Sequence, residues 1–233
     1  MPSLYIVGTP IGNLSDISER AIHTLRESHT IVAEDTRITG KLLSRFGIKT
    51  PMVSFNRENA EKRIPSLINI LKAHDLSLVT DAGTPGISDP GFELIRSLRS
   101  HAVDIIPIPG PSAVTTALST APFSTDSFYF AGFAPRRKKD ILQLVAKTRP
   151  LKVPVVLFES PKRITNLLKI LSEENPEQEV LIMREMTKMY EERFIGTVRE
   201  ALDFFQKPRG EFTIVLAPSP VNNLRLTDME ISD

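Results

Sequence analysis

The sequence predicts an α/β protein of two α/β domains, the first on a mostly parallel sheet and the second on a mixed one. In the first half, short β-rich runs alternate with amphipathic stretches, the pattern of parallel strands joined by crossover helices. In the second half the β-rich runs 179–185 and 191–197 follow each other directly, which calls for antiparallel pairing. Between the halves lies a small, polar, proline-bearing stretch, 110–127, so the domains are read as 1–118 and 119–233. With 233 residues, 41% of them apolar, the chain is long enough to bury a core in each.

The elements follow in order. "SLYIVG" (3–8) reads as a buried strand, and "SDISERAIHTLRES" (15–28) as a helix with Asp16 and Glu19 spaced like a capping box. Next come strand 30–35, a helix over 39–47 stopped by Gly47 in a left-handed cap, and strand 52–56. A helix over 65–74 tolerates Pro65 in its first turn, and strand 76–81 runs into "DAGTPGISDPG". A helix opens at Pro90, with Asp81 and Asp89 expected to shape the turn and cap it, and strand 103–110 ends in a Gly-Pro loop. The second half gives strand 128–133, helix 139–147, strand 153–159, a helix after "SPKR" (160–163), strands 179–185 and 191–197, helix 198–206 and strand 211–217. The polar tail beyond Ala217 is expected to fray.

Composition excludes several chemistries. Without cysteine there is no disulfide framework, thiolate metal site or cysteine nucleophile, so a reducing compartment is expected. No apolar run reaches the length of a bilayer span and the N-terminus is not patterned as a signal peptide, which together read as cytoplasmic, without membrane. A formal net charge of +1 requires any footprint for nucleic acid to be local.

Three Gly/Pro loops stand at predicted strand ends, where open α/β sheets bind ligands: 7–14, 81–91 and 107–113. The first fits neither the G-x-G-x-x-G dinucleotide pattern nor a phosphate loop, which needs Gly-Lys-Ser/Thr where this chain has Gly12-Asn13-Leu14. Prolines remove backbone donors, and Asp81 and Asp89 would repel phosphate. A cationic, phosphate-free ligand with polar edges fits better, and S-adenosylmethionine is such a ligand. No metal is expected.

The ordered series "VGTPIGNLSDISERAIHTL", "AEDTR", "VTDAGTPGISDPG", "PGPSA", "GF.PRRK", "FESPKR", "REMTK.YEE" and "GEF" resembles the tetrapyrrole (corrin/porphyrin) methylase superfamily over about 3–217. Within it the series most resembles the branch that methylates a cytidine ribose 2′-hydroxyl in small-subunit ribosomal RNA. The resemblance implies a class III methyltransferase with the cofactor cleft between its two domains, acting as a homodimer on ribosomal RNA in the small subunit. It implies cofactor contacts at Pro10, Ala82, Gly83, Thr84, Ile87, Ser112 and Ala113, with Phe158, Met186 and Phe212 closing over the adenine. Thr84 and Lys162 depart from the wider family's Asp and His. The chain stops at Asp233, earlier than is usual in that branch, which is expected to bear on RNA docking or dimerisation and not on the cofactor loops.

Methyl transfer is an in-line displacement, helped most by holding nucleophile and methyl in near-attack geometry and further by a group that accepts the hydroxyl proton. The catalytic candidates are Glu159, Arg184 and Lys188, which equally read as a strand-end acid and an ion-pair set. The four histidines fall in or after helices, away from the loops. "RRKKD" (136–140) is the densest basic run, so Arg136, Arg137 and Lys138, extended by Arg37, are candidate phosphate contacts, although such a run is often a solvated helix start. No aromatic-interleaved patch is apparent, which favours readout by shape and backbone. Two further readings remain: methylation of a tetrapyrrole, and a cofactor-binding module without turnover.

Overall fold

The computed structural model describes residues 1–218. The tail read as frayed lies, from residue 219 onward, outside the described residues. The chain divides into two compact units, 1–116 together with 186–189, and 117–185 together with the chain from 190.

The first unit is built on β1 (Ser3–Val7), β2 (Thr30–Ala33), β3 (Met52–Ser54), β4 (Leu76–Val79) and β5 (Asp104–Ile108). They form one sheet in the order β3-β2-β4-β1-β5, with every neighbouring pair parallel. Its helices are α1 (Glu19–Glu27), α2 (Thr36–Arg45), α3 (Ala60–Ile70), α4 (Phe92–Ser97) and α5 (Ala113–Leu118). Successive strand residues face opposite ways. Leu4, Val32, Leu76 and Leu78 therefore join Leu67 of α3, Leu71 just after it and Leu94 of α4 in one core. Ile31, Ala33 and Val79 join Ala21, Leu25, Leu42 and Leu43 from α1 and α2 in the other.

The local signals are redistributed in three places. A short 3-10 turn (Leu14–Asp16) precedes α1, whose cap is Ser18, accepting from the Ala21 amide, so the box read at Asp16 and Glu19 does not form. Helix α3 starts five residues before Pro65, leaving the proline inside it on an exposed face, where water can satisfy the carbonyl that loses its donor. Gly91 (φ 141°), without a side-chain cap, precedes α4, so Asp89 caps nothing. Gly47 does take φ 63° after α2, as the cap reading required.

The second unit carries β6 (Tyr129–Phe133), β7 (Val155–Glu159), β8 (Glu179–Arg184), β9 (Glu192–Thr197) and β10 (Phe212–Leu216). Their order is β6-β7-β10-β8-β9, with β6 parallel to β7 and the remaining pairs antiparallel, a mixed sheet. Val155, Leu157, Val180, Ile182, Ile214 and Leu216 share a face and pack on α6 (Lys138–Thr148), α7 (Ile164–Glu174) and α8 (Val198–Phe204). Helix α8 opens with a complete capping box between Thr197 and Glu200.

Leu168 is fully buried in the centre of this second core, and its neighbour Lys169 is exposed. Leu168→Ala is expected to cost about 2–5 kcal/mol by removing methyl groups from a packed site, against about 0.5 kcal/mol or less for Lys169→Ala. Urea unfolding of the two variants side by side checks this.

Candidate functional site

The loops after β1 and β4 leave the sheet in opposite directions, one toward α1 and β2, the other toward α4 and β5. Such a switch point opens a crevice at the carboxyl ends of the strands. Backbone contacts tie the crevice walls together. The Thr9 amide donates to Gly83 O at 2.9 Å and the Gly83 amide returns to Thr9 O at 3.1 Å, an isolated antiparallel bridge beyond the ends of two parallel strands. Buried Thr9 adds its hydroxyl, donating to Thr80 O at 3.1 Å.

The third loop closes on the first from the other side. The Gly8 amide donates to Ile108 O at 3.0 Å, and a Cβ placed on Gly8 would stand 2.7 Å from the Gly110 nitrogen. Only glycine permits that approach. A fourth piece arrives from far along the sequence. A Cβ on Gly12 would lie 2.6 Å from Lys188 Cγ and 2.8 Å from Met186 O, so segment 186–189 packs flush on the first loop. Glu185, just before that segment, and Thr187, within it, both take positive φ, 51° and 65°. Strained backbone of this kind persists where its surroundings over-determine it, and it gathers at functional sites.

The residues expected to meet a cofactor separate cleanly. Gly83 (φ 77°) and Pro10 are buried in the loop walls, Thr84, Ser112 and Ala113 are half-buried, and Ala82 and Ile87 are exposed on the 81–91 loop. Met186 is buried beside Gly12. Phe212 requires a correction: it is 2% exposed within the second core, edge-on to Phe205 at 5.4 Å, so no face of its ring is left for a ligand. Phe158 is half-buried and packs edge-on against Phe130 and Phe133.

Acids crowd the same strand ends. The Asp35 amide donates to Asp81 and the Asp81 amide to Glu34. Burial, with the neighbouring acids adding to it, pushes Glu34 and Asp81 above the ordinary carboxylate range and Asp89 up to about 6, although Arg57 lies near enough to oppose the shift at Glu34 and Asp89. Asp35 goes the other way, held at about 2 by hydrogen bonds from Arg37. The neighbourhood is thus negative and only partly neutralised, which suits a cation.

The three catalytic candidates are not gathered together. Glu159 ends β7 with a side chain 1% exposed; its Oε1 accepts from the Ser160 amide at 2.7 Å, and Oε2 lies 3.0 Å from the Arg163 guanidinium without the alignment of a hydrogen bond. It is a buried strut, not a group open to substrate. Arg184 ends β8 and pairs with Glu192 at 2.8 Å. Glu159 and Arg184 are both register partners of Phe212, which places them two strands apart, roughly 10 Å. Lys188 belongs to the segment on Gly12. Of the basic candidates, Arg37 pairs with Asp35, Arg137 with Asp140 and Lys138 with Glu173, whereas exposed Arg136 makes no ion pair among the described residues.

The sequence reading missed Thr9, Gly8, Gly110 and the seating of 186–188 on Gly12. Paired glycines at two strand ends were a usable signal; the long-range return was not. Among the described residues no group of three His, Asp or Glu is placed to hold a metal, and no helix is long and apolar enough to cross a membrane.

A parallel sheet with a glycine-tied crevice at its switch point is thus followed along the chain by a mixed α/β unit. Over 92% of this chain and 89% of the other, the fold superposes on a diphthine synthase crystal structure with a TM-score of 0.73 at 17% identity. It matches uroporphyrin-III C-methyltransferase from Thermus thermophilus, solved with S-adenosylhomocysteine, at 0.64 and 18% identity, over 92% of each chain. Residues 3–202 match the family of Tetrapyrrole (Corrin/Porphyrin) Methylases, and this chain belongs to it. Among curated relatives, ribosomal RNA small subunit methyltransferase I of Thermotoga maritima is 44% identical over 220 residues, 93% of this chain and 99% of that one.

Two outcomes follow. Gly8→Ala forces backbone against backbone at Gly110, which no rotamer relieves; calorimetry with S-adenosylmethionine should show affinity reduced by at least about 10-fold, the equivalent of 1.4 kcal/mol. An acid whose folded pKa is raised to about 6 adds stability below its unfolded value near 4, and that stability is lost as pH rises through 6. Asp89→Asn should therefore raise the melting temperature at pH 7.5, with the gain closing toward pH 4, read by thermal scans across that range.

Proposed function

We propose that this protein is an S-adenosylmethionine-dependent methyltransferase that methylates the ribose 2′-hydroxyl of a cytidine in small-subunit ribosomal RNA. The carrying observation is the 44% identity to the Thermotoga maritima enzyme over nearly the whole of both chains. The crevice supports it: three loops pinned by backbone, small residues at Ala82, Gly83, Ser112 and Ala113, and underpaired acids at Glu34, Asp81 and Asp89 make a cradle suited to a cation and unsuited to phosphate. In this reading Pro10, Ala82, Gly83, Thr84, Ile87, Ser112, Ala113 and Met186 hold the cofactor. Bound S-adenosylmethionine supplies a methyl already activated by the adjoining sulfonium.

The chain's own groups then orient and exclude. The Thr9–Gly83 bridge fixes the loop wall that positions the donor, and buried Met186 closes the crevice beside Gly12 against water. Arg184, paired with Glu192, is given no proton-accepting role. Lys188, bordering the first loop, is the candidate to accept the hydroxyl proton, a role that only its neutral amine can fill. Glu159 is withdrawn from that role by its burial and its pairing. A homodimer working in the cytoplasm completes the reading.

Nucleoside mass spectrometry of small-subunit RNA from cells lacking the protein should show loss of 2′-O-methylcytidine, restored by wild type and not by Gly83→Val, which puts a branched side chain at φ 77°. An unchanged signal in the deletion, with cofactor binding intact in the purified protein, would return the tetrapyrrole and non-catalytic readings to the front. Lys188→Ala is expected to lower turnover by about 100-fold with cofactor affinity retained, the scale on which general bases act.

A further inference from the structure

Strand β6 is the edge of the mixed sheet and carries a defect with a purpose. Its register on β7 runs Tyr129↔Val155 and Phe130↔Val156, then shifts, so that Phe133 pairs with Phe158. Gly132 takes φ 69° in the shift. Three residues apart on a regular strand, Phe130 and Phe133 would face opposite ways. The bulge re-aims the second ring, and both pack edge-on against Phe158, with centroids at 5.1 and 5.7 Å. Phe133 nevertheless keeps 58% of its surface exposed. A lone exposed aromatic is common on a protein surface, but one at a left-handed glycine and packed edge-on against Phe158, which Phe130 supports in turn, is pre-ordered.

The loop that follows is braced just as firmly. The Arg163 guanidinium donates to Ala134 O and, at 3.0 Å, to Pro135 O, while buried Glu159 lies 3.0 Å from it as counter-charge. The residues on either side of this brace are Arg136 and Lys162, both exposed and both without a hydrogen bond or ion pair among the described residues. Because β6 and β7 are parallel, the exposed ring and the two cations stand at the same end of the sheet.

We propose that Phe133, packed against Phe158, is a stacking shelf for an unpaired base of a single-stranded RNA substrate, with Arg136 and Lys162 holding the adjoining phosphates. The inference rests on the RNA reading above and names where that RNA is gripped. Charge complementarity selects the occupant: a π-face beside two uncommitted cations matches a base and its phosphates, whereas a purely apolar partner would leave both cations desolvated and unpaired. Stacking on an aromatic face suits unpaired bases, since a duplex hides its base faces. Glu159 and Arg163 are then positioning residues that fix the turn joining shelf and cations.

The test uses the full-length protein and a fluorescein-labelled ten-nucleotide single-stranded RNA rich in cytidine, read by anisotropy. A ten-base-pair RNA duplex is the comparison, with calorimetry of S-adenosylmethionine and methylation of isolated small subunits as parallel readouts. Phe133→Ala should weaken single-strand binding by about 10-fold, within the range of one lost base stack, and raise KM for the subunit while leaving cofactor affinity unchanged. Phe133→Trp should restore binding. Arg136→Ala and Lys162→Ala should each flatten the logarithmic salt dependence by roughly 0.7, as loss of one phosphate contact to a single strand requires. Phe133→Ala that binds and methylates like wild type overturns the shelf and leaves the function standing. Wild type that binds cofactor yet neither binds the RNA nor modifies subunits overturns both. A change in sedimentation with RNA affinity untouched assigns the patch to a second copy of the chain and overturns the proposal.

Discussion

Backbone meeting backbone beyond the ends of the parallel strands is the constraint on which the first unit's site depends. A sheet ladder holds strands together, but it says nothing about loops once they pass the last ladder bond. Here the Thr9–Gly83 bridge continues the tie between β1 and β4, and the Gly8–Gly110 approach does the same between β1 and β5. The order β4-β1-β5 makes this possible, because the central strand's loop can touch both neighbours. Glycine is required at 8 and 110 by proximity rather than by turn type: any side chain there would occupy the space of another residue's main chain. The site is therefore specified by what is absent from those positions as much as by what is present.

The two units treat buried acids in opposite ways, and the contrast separates scaffolding from readiness. In the second unit Glu159 is almost wholly buried yet neutralised by Arg163, and the pair is spent on holding the turn at Ala134 and Pro135. In the first, Glu34, Asp81 and Asp89 are desolvated near one another, with Arg57 opposing the shift only in part at Glu34 and Asp89 and Arg37 at Asp81. A protein could relieve this repulsion by a single lysine. Leaving it unrelieved keeps a negative potential at the crevice mouth, a field to which a sulfonium and an ammonium respond and a phosphate does not.

Period and punctuation made most of the fold legible in advance. Strands such as 76–79 and 212–216 are continuous apolar runs bounded by turn residues, and each was placed within a residue or two. The failures cluster where two local signals competed: Ser18 took the cap from Asp16, and α3 ran through Pro65 because Ala60, Ile64 and Leu67 offered an apolar face worth extending. At the site, the loops could be read because glycine and proline mark them. The side chains could not be sorted, because burial and pairing are set by distant residues. Glu159 looks the same in sequence whether it faces a substrate or an arginine. The aromatic shelf was hidden for a related reason: regular alternation sends Phe130 and Phe133 apart, and only the bulge at Gly132 brings them together.

Segment 186–189 belongs to the first unit although residues 117–185 of the second precede it. On a ribosome emitting roughly 5–20 residues per second, several seconds pass after the first sheet is complete before that segment emerges. Through that interval Gly12 stands uncovered and the first loop lacks its neighbour. The amino-terminal unit is thus a fold that can be finished early and a site that cannot. Its competence is timed by the synthesis of its own carboxyl-terminal half.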